Sequence, residues 1–219
     1  MTRRGIPLPA LATAVIVSSV AASFGQEAQG VLAPENANEA RLNDIQPPED
    51  VLRAAGVQPG MVVGEIGAGH GRYTVQIAVR VGDKGRVYAN DIDAPALEHL
   101  KQRCAKWGIG NVETVLGEET DPRLPPGKLD LLFMISTYHH IVRPTELMRN
   151  ALPALKPDGR LAIAEWVPLA GQSRPGSATP SEVLEKQMNQ AGYALERTVP
   201  FHEASRGFNV YVFRVAGEH

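Results

Sequence analysis

The 219-residue sequence has few cysteines, few aromatic residues and no excess of basic residues. Its single cysteine, Cys104, cannot form an internal disulfide, which excludes a disulfide-stabilised scaffold. Aromatic residues make up 5% of the chain, too few for a platform on which bases stack. The 22 basic residues are matched by 24 acidic ones, so no positive charge is left to neutralise a phosphate backbone. We therefore expect no nucleic acid partner.

Long hydrophobic runs are also absent, apart from one near the N-terminus. Arg3 and Arg4 precede an apolar stretch at residues 8–20, and small residues follow it. This layout is typical of a secretory signal peptide, and the stretch is too short for a stable membrane-spanning helix. We expect a signal peptide over residues 1–25 and an exported, periplasmic or extracellular protein, with no stable membrane span after signal removal. The alternatives are a membrane-tethered protein that keeps the segment and a cytoplasmic protein whose start is misassigned.

The rest of the chain has the pattern of one α/β domain. Residues 26–46 are polar and poorly patterned, which predicts a mobile lead-in, and residues 47–219 form the expected domain. Short apolar runs there alternate with segments of helical spacing, which predicts a parallel sheet covered by helices on both faces. The last two of seven strands follow each other without a helix, so the closing strand should run antiparallel. The predicted strands are residues 61–66, 85–91, 111–116, 129–135, 160–165, 194–199 and 208–215. One predicted helix begins at residue 47, and four others span residues 73–81, 95–107, 145–155 and 181–191. A turn is predicted at residues 156–159.

A glycine-rich loop follows the first predicted strand. The strand ends near Glu65, and Gly67, Gly69 and Gly71 precede the next helix. Glycine lets the backbone turn sharply and lets a ligand approach closely, and the following helix begins with free amide groups. Ligands of open α/β sheets bind beyond the carboxyl ends of the strands, where this loop lies. The loop, with Glu65 and Ala68 included, is therefore the predicted cofactor-binding segment.

The ends of the next two strands carry residues suited to an adenosine group. Asp91 lies about twenty residues beyond the loop, where a carboxylate can accept both hydroxyls of a ribose. Ile92 is placed to pack on the adenine ring. Glu118, at the end of the third strand, can accept a hydrogen bond from the adenine amino group. These positions together favour an adenosine-containing cofactor.

The spacing of the glycines distinguishes two such cofactors. Nicotinamide dinucleotides usually require G-x-G-x-x-G, in which the third glycine packs the helix beneath a pyrophosphate. Here the spacing is one residue shorter, and Glu65 would place a carboxylate beside that pyrophosphate. A cationic sulfonium ligand with an ammonium group tolerates the carboxylate. The sequence therefore favours S-adenosyl-L-methionine, and an NAD(P)-dependent oxidoreductase is less favoured because no Tyr-x-x-x-Lys pair is present.

With these residues in hand, the stretch 47–167 resembles the class I S-adenosylmethionine-dependent methyltransferases. Five segments are similar to the family's motifs and strands: residues 64–71, 87–93, 111–118, 129–135 and 155–161. Asp91 falls in the ribose-binding place of the second motif. The resemblance implies a Rossmann-like fold and an enzyme that moves a methyl group to a small-molecule acceptor by in-line displacement.

The segment after the fourth strand points to one branch of this family. Residues 138–141 resemble the corresponding segment of ubiquinone/menaquinone C-methyltransferases and their small-molecule relatives. Tyr138, His139 and His140 lie there, at the carboxyl edge of the sheet, and are the candidate catalytic residues. A general base is needed only if the acceptor must lose a proton, and histidine suits that role. Adjacent loop residues rarely supply two metal ligands, so we expect no metal.

Two features of the sequence depart from the family pattern. Asp158 stands where a glycine is usual in the turn, a change that aspartate tolerates. The predicted signal peptide is the second, because S-adenosyl-L-methionine is made in the cytosol. It keeps open an exported, non-catalytic binding protein that retains the fold. Glu165, at the end of the fifth strand, is a candidate for substrate binding by position. The acceptor and the oligomeric state stay undetermined.

Overall fold

Seven strands form one sheet in the order β3-β2-β1-β4-β5-β7-β6. The computed structural model describes residue 1 and residues 31–168, 178–201 and 207–217. The strands are β1 (Val62–Ile66), β2 (Arg86–Asp91), β3 (Val112–Leu116), β4 (Leu129–Ile135), β5 (Leu155–Trp166), β6 (Tyr193–Phe201) and β7 (Phe208–Val215). The strands β1 to β5 pair in parallel, and β7 runs antiparallel to both β5 and β6. The predicted fold class, with its closing antiparallel strand, is confirmed.

Helices cover both faces of the sheet because the central strands are apolar on both sides. Along β4, Leu132 and Met134 pack with the residues of α5 and α6, whereas Leu131 and Phe133 pack with those of α2 and α3. All four side chains are buried, as expected for a central parallel strand. The helices are α1 (Ala37–Ile45), α2 (Pro48–Ala55), α3 (Thr74–Val81), α4 (Ala94–Trp107), α5 (Pro144–Ala151) and α6 (Ser181–Ala191).

The strand order fixes where a ligand can bind. After β1 the chain adds β2 and then β3 on one side, and it then crosses back to add β4 and β5 on the other. The loops that leave β1 and β4 therefore diverge, which opens a crevice at the carboxyl ends of these two strands. The glycine-rich loop follows β1 and therefore lies at this crevice.

The region between β4 and β5 differs in detail from the prediction. A helix was expected over residues 145–155, but α5 ends at Ala151 and a short 3₁₀ turn, Leu152–Ala154, follows it. Pro153 explains the early end, since proline cannot donate the backbone hydrogen bond that continues a helix. The predicted turn at residues 156–159 lies within β5, where the pairing register with β4 shifts between Leu129 and Leu131.

The lead-in also differs from the prediction. Part of it forms the helix α1, whose first turn is capped by Asn36, with the Oδ1 of this residue accepting a hydrogen bond from the N–H of Glu39 at 2.9 Å. The Glu39 carboxylate accepts a hydrogen bond of 2.7 Å from the buried guanidinium of Arg103 on α4. A buried ion pair needs both partners in place, so α1 has a fixed position on the domain. Residues 37–45 of the expected mobile lead-in thus form a helix, and residues 26–30 lie outside the described residues.

The predicted signal peptide over residues 1–25 lies outside the described residues, apart from Met1. Within the described ranges, no helix has the length and apolar character needed to cross a membrane.

Candidate functional site

The glycine-rich loop follows a backbone path that side chains would obstruct. Gly67, Gly69 and Gly71 have φ values of +76°, +52° and +84°, in the left-handed region that favours glycine. A Cβ at Gly67 would lie 2.3 Å from the Cγ2 of Thr137, and one at Gly71 would lie 2.3 Å from the Cδ1 of Leu100. A Cβ at Gly69 would meet nothing within 4 Å. Two of the glycines are therefore required by packing, and the third lies beside open space.

Glu65 lies behind the loop rather than on the cleft surface. Its carboxylate is buried and accepts a 2.5 Å hydrogen bond from the hydroxyl of Thr74, the first residue of α3. Burial raises the pKa of this carboxyl to about 7, and the nearby charge of Asp91 acts in the same direction. The Thr74 hydrogen bond and the charge of Arg72 oppose the rise. Glu65 therefore ties the end of β1 to the helix that supports the loop.

Asp91 joins the glycine-rich loop to the end of β2. Its Oδ2 accepts a hydrogen bond from the N–H of Gly69 at 2.8 Å, and its Oδ1 accepts one from the N–H of Asp93 at 3.0 Å. A carboxylate can accept about four hydrogen bonds, so these two leave capacity for the two hydroxyls of a ribose. The residue thus fits the role that the sequence predicted, and it also fixes the loop.

A cleft of about 370 Å³ opens beside Asp91. Its walls are formed by residues that follow β1, β2, β3 and β4, all at the carboxyl edge of the sheet. Ile92 and Glu118 line one side, and His140 and Val142 line another. Ile92 and Val142 are large apolar side chains that are mostly exposed, which is typical of a surface that a ligand covers.

The other predicted cofactor residues take different positions. Glu118 lines the cleft, is well exposed, and forms an ion pair with Arg123. Ala68 is buried, and its methyl group packs in a small cluster with Leu97 and Leu100 of α4. The N–H groups of Gly67 and Ala68 both donate to the carbonyl of Asn90, at 2.9 and 3.0 Å. The loop and the end of β2 are therefore one connected backbone structure.

The three candidate catalytic residues after β4 form a short 3₁₀ turn, Tyr138–His140, but they face different surroundings. Tyr138 is buried, and its hydroxyl donates a 2.6 Å hydrogen bond to Gln187 of α6. His139 lies 2.8 Å, from Nδ1 to Oε1, from the buried carboxylate of Glu165. His140 is exposed and lines the cleft. The structure thus brings His140 to the cleft, His139 to Glu165 and Tyr138 to the α6 side.

The sequence analysis missed a group of polar residues that connects the lead-in to both loops of the crevice. Gln46 is buried, and its amide donates a 2.8 Å hydrogen bond to the Oγ of Ser136, just after β4. Its side-chain oxygen accepts a 2.5 Å hydrogen bond from Arg72, which follows the glycine-rich loop, and its carbonyl accepts one from Tyr73. The contact to Ser136 joins residues 90 positions apart, and no local sequence pattern reveals such a pairing.

Metal-binding side chains do not gather at this site. In the part of the chain that the structure describes, no group of three or more His, Cys, Asp or Glu residues is arranged to hold a metal ion.

The sequence matches a known domain family over the glycine-rich loop and the central strands. The family is described as a methyltransferase domain, and it matches residues 63–159. A ubiquinone/menaquinone biosynthesis C-methyltransferase from Shewanella sediminis is 30% identical over 116 residues, which cover 52% of this chain and 46% of that protein. Nocamycin O-methyltransferase from Saccharothrix syringae is 29% identical over 111 residues, which cover 51% of this chain and 40% of that protein. The match thus spans less than half the length of these relatives.

A solved structure extends the likeness to the whole fold. The crystal structure of a SAM-dependent methyltransferase from Aquifex aeolicus superposes with a TM-score of 0.70 and 28% sequence identity, covering 81% of this chain and 97% of that one. The methyltransferase domain match and this SAM-dependent neighbour support S-adenosyl-L-methionine as the cofactor. In this fold the glycine-rich loop follows β1, and Asp91 ends β2. In sequence over residues 63–159 and in fold over most of its length, the chain is similar to the class I S-adenosylmethionine-dependent methyltransferases.

Proposed function

We propose that this protein transfers a methyl group from S-adenosyl-L-methionine to a small-molecule acceptor by in-line displacement. The observation that carries the proposal is the contact between Asp91 and Gly69, because it joins the carboxylate proposed to bind the ribose to the glycine-rich loop, and Asp91 and Gly67 both line the cleft. The two relatives support a small-molecule acceptor, since one is named for quinone biosynthesis and the other for nocamycin.

The cleft residues divide the cofactor site into parts. Asp91 binds the ribose hydroxyls, Ile92 packs on the adenine, and Glu118 accepts a hydrogen bond from the adenine amino group. Gly67 and Gly69 let the backbone approach the rest of the cofactor. The bound cofactor supplies a methyl group that is already activated by the sulfonium, so the protein mainly aligns the acceptor and excludes water.

The acceptor side of the site lies beyond β4. The loop that follows β4 carries the three candidate catalytic residues Tyr138, His139 and His140, and its apolar residues Ile141 and Val142 line the cleft. Apolar walls suit a small organic acceptor and leave little room for water. The balanced charge of the chain also favours a small molecule over nucleic acid.

Titration calorimetry with S-adenosylhomocysteine tests the cofactor site. We expect saturable binding to the wild type, with affinity reduced by about tenfold or more in Asp91→Asn because a charged acceptor of hydrogen bonds is lost. Asp130→Asn is the matched control. The carboxylate of Asp130 likewise accepts a hydrogen bond from a backbone N–H at the end of a strand, that of Val62 at 2.8 Å. Asp130 lies at the amino ends of the parallel strands, opposite to the cleft. Absence of binding at millimolar ligand, or equal effects of both variants, would refute the site.

Two other functions are separated by direct assays. Transfer of labelled methyl from S-adenosyl-L-methionine to a panel of small organic acceptors distinguishes an enzyme from a binding protein that retains the fold. Fluorescence of bound NADH tests the oxidoreductase alternative, and we expect no binding because the loop lacks the longer glycine spacing.

We further propose that residues 1–25 direct export, an inference that rests on the sequence layout alone. A fusion of residues 1–30 to a reporter that is active only after export tests this proposal. An active reporter supports export and favours the binding-protein alternative, since the methyl donor is made in the cytosol. An inactive reporter with a stable fusion protein favours a cytoplasmic enzyme.

A further inference from the structure

The carboxylate of Glu165 is completely buried at the end of β5, and two of its three described hydrogen bonds are to one histidine. Oε1 accepts from the N–H of Trp166 at 2.7 Å and lies 2.8 Å from the Nδ1 of His139. Oε2 accepts from the backbone N–H of His139 at 3.3 Å. Both carboxylate oxygens accept from backbone N–H groups, so we take the Nδ1 of His139 as the donor to Oε1.

We propose that Glu165 is a positioning residue that holds His139 in one tautomer, with the proton on Nδ1 and Nε2 available as a base. The inference rests on the proposed methyl transfer and names the residue that takes the acceptor's proton. A hydrogen bond from one ring nitrogen to a carboxylate sets which nitrogen stays unprotonated. The ring's Nε2 has no hydrogen-bond partner among the described residues, and 9% of the side chain is open to solvent.

The position of the pair in the sheet agrees with this role. The proposed adenosine contacts, Asp91 and Glu118, lie at the ends of β2 and β3, on one side of β1. The reacting end of the cofactor is then directed toward the other side of β1, where β4 and β5 end. His139 and Glu165 stand at those two ends. The rings of His139 and His140 are 4.0 Å apart between centroids, and His140 lines the cleft.

The structure distinguishes His139 from its two neighbours in the same turn. His140 is exposed, and within the described ranges no side chain forms a hydrogen bond with its ring, so nothing selects its tautomer. Burial raises the pKa of the Tyr138 hydroxyl, and the charge of Glu165 adds to the rise. The Tyr138 hydroxyl also donates a hydrogen bond to the side-chain oxygen of Gln187 on α6. Only His139 combines an oriented ring with a free nitrogen.

The proposed step is a methyl transfer in which the acceptor loses a proton. The acceptor atom forms its new bond to the methyl carbon while the bond from that carbon to sulfur breaks, and the electron pair of the broken bond goes to sulfur. The proton of the acceptor goes to the Nε2 of His139. Glu165 keeps its charge and stabilises the resulting imidazolium through Nδ1.

Nuclear magnetic resonance of protein labelled with ¹⁵N in its histidine rings tests the tautomer without any acceptor. At a pH where the ring is neutral, we expect the His139 signals, identified by their loss in His139→Asn, to show a protonated Nδ1 and an unprotonated Nε2. In Glu165→Gln the amide can either accept from Nδ1 or donate to it, so we expect the single tautomer to be lost. His140→Asn is the matched control and should leave the His139 signals in place. A wild-type His139 protonated on Nε2 would overturn the proposal.

Methyl transfer to a series of substituted phenols, chosen to span hydroxyl acidity, tests the proton transfer. A base matters only for acceptors that are still protonated at the assay pH. For these we expect His139→Asn to lose on the order of 10²-fold or more in kcat, and Glu165→Gln to lose part of that, whereas phenols already ionised should react at similar rates in all variants. Equal losses for both kinds of phenol, or a wild type that methylates only ionised phenols, would contradict the role.

The two proposals fail in different ways. If the protein does not bind S-adenosylhomocysteine, the proposed function fails whatever the tautomer. If it binds the ligand but His139 carries its neutral proton on Nε2, the proposed function stands and the role of Glu165 does not.

Discussion

The loops after β1 and β2 form the cofactor side of the cleft mainly from backbone, whereas the loop after β4 forms the proposed acceptor side from side chains. On the cofactor side, three glycines with positive φ and the contact from Gly69 to Asp91 define the surface. On the acceptor side, His140 and Val142 line the cleft, and His139, next to His140, contacts the buried carboxylate of Glu165. A backbone surface requires glycine at fixed spacing, while a side-chain surface can be assembled from distant segments.

This difference explains what the sequence could predict. The spacing of Gly67, Gly69 and Gly71 and the carboxylate at Asp91 are local patterns, so they predicted the cofactor loop and the ribose position. The apolar run of β4 likewise predicted a central strand, because a strand buried on both faces has apolar residues throughout.

Other parts of the site could not be predicted because they depend on contacts between distant residues. Glu165 was a candidate substrate ligand by its position, and only its 2.8 Å contact to His139 gives it a different role. The helix α1 has little apolar character, and a buried charge pair between Glu39 and Arg103 holds it in place. No periodicity of hydrophobic residues could indicate either arrangement.

The largest effect that we predict concerns the lead-in, which contacts both sides of the cleft. Glu39→Ala removes the nearer of the two carboxylates that face Arg103, a guanidinium whose Nε has no hydrogen-bond partner among the described residues. Breaking a buried ion pair costs about 3–5 kcal/mol, and we expect the free energy of unfolding to fall by an amount near the lower end of that range, because Glu35 remains nearby. Glu35→Ala is the control, because the partly exposed carboxylate of Glu35 lies 3.7 Å from the same guanidinium. This variant should lower the free energy of unfolding by about 1 kcal/mol or less. Chemical denaturation measures both, and equal losses would show that the buried pair does not hold α1.

A second prediction concerns the buried carboxyl of the cofactor side. Burial raises the pKa of Glu65 to about 7 in the folded protein, above the ordinary value of 4.5 for this side chain. Its contribution to stability is therefore fully present below about pH 4.5 and is lost as the pH rises through 7. The loss amounts to about 3 kcal/mol, because one pKa unit corresponds to about 1.4 kcal/mol.

The variant Glu65→Gln should lack this pH dependence. Relative to the wild type, its free energy of unfolding should rise by about 3 kcal/mol between pH 5 and pH 8. Denaturant titrations at several pH values measure the difference, with Glu113→Gln, an exposed carboxyl on β3, as the control. If the difference in free energy of unfolding between the variant and the wild type stays constant with pH, burial does not raise the pKa of Glu65.

The smallest predicted effect separates backbone strain from ligand binding. Gly69 and Gly108, the residue that ends α4, both have positive φ, and a Cβ at either would meet nothing within 4 Å. Alanine at each position should therefore cost about 1 kcal/mol of stability. Only Gly69→Ala should also weaken S-adenosylhomocysteine binding, by about tenfold, because it adds a side chain to the cofactor loop. Calorimetry compares the two, and similar affinities would place the ligand away from the loop.

A crystal structure of the protein with bound S-adenosylhomocysteine would show the cofactor contacts themselves. We expect both ribose hydroxyls to bind the carboxylate of Asp91 and the sulfur to lie toward the ends of β4 and β5, on the side of His139. A ligand whose ribose contacts neither oxygen of Asp91, or whose sulfur is directed toward β3, would contradict this expectation.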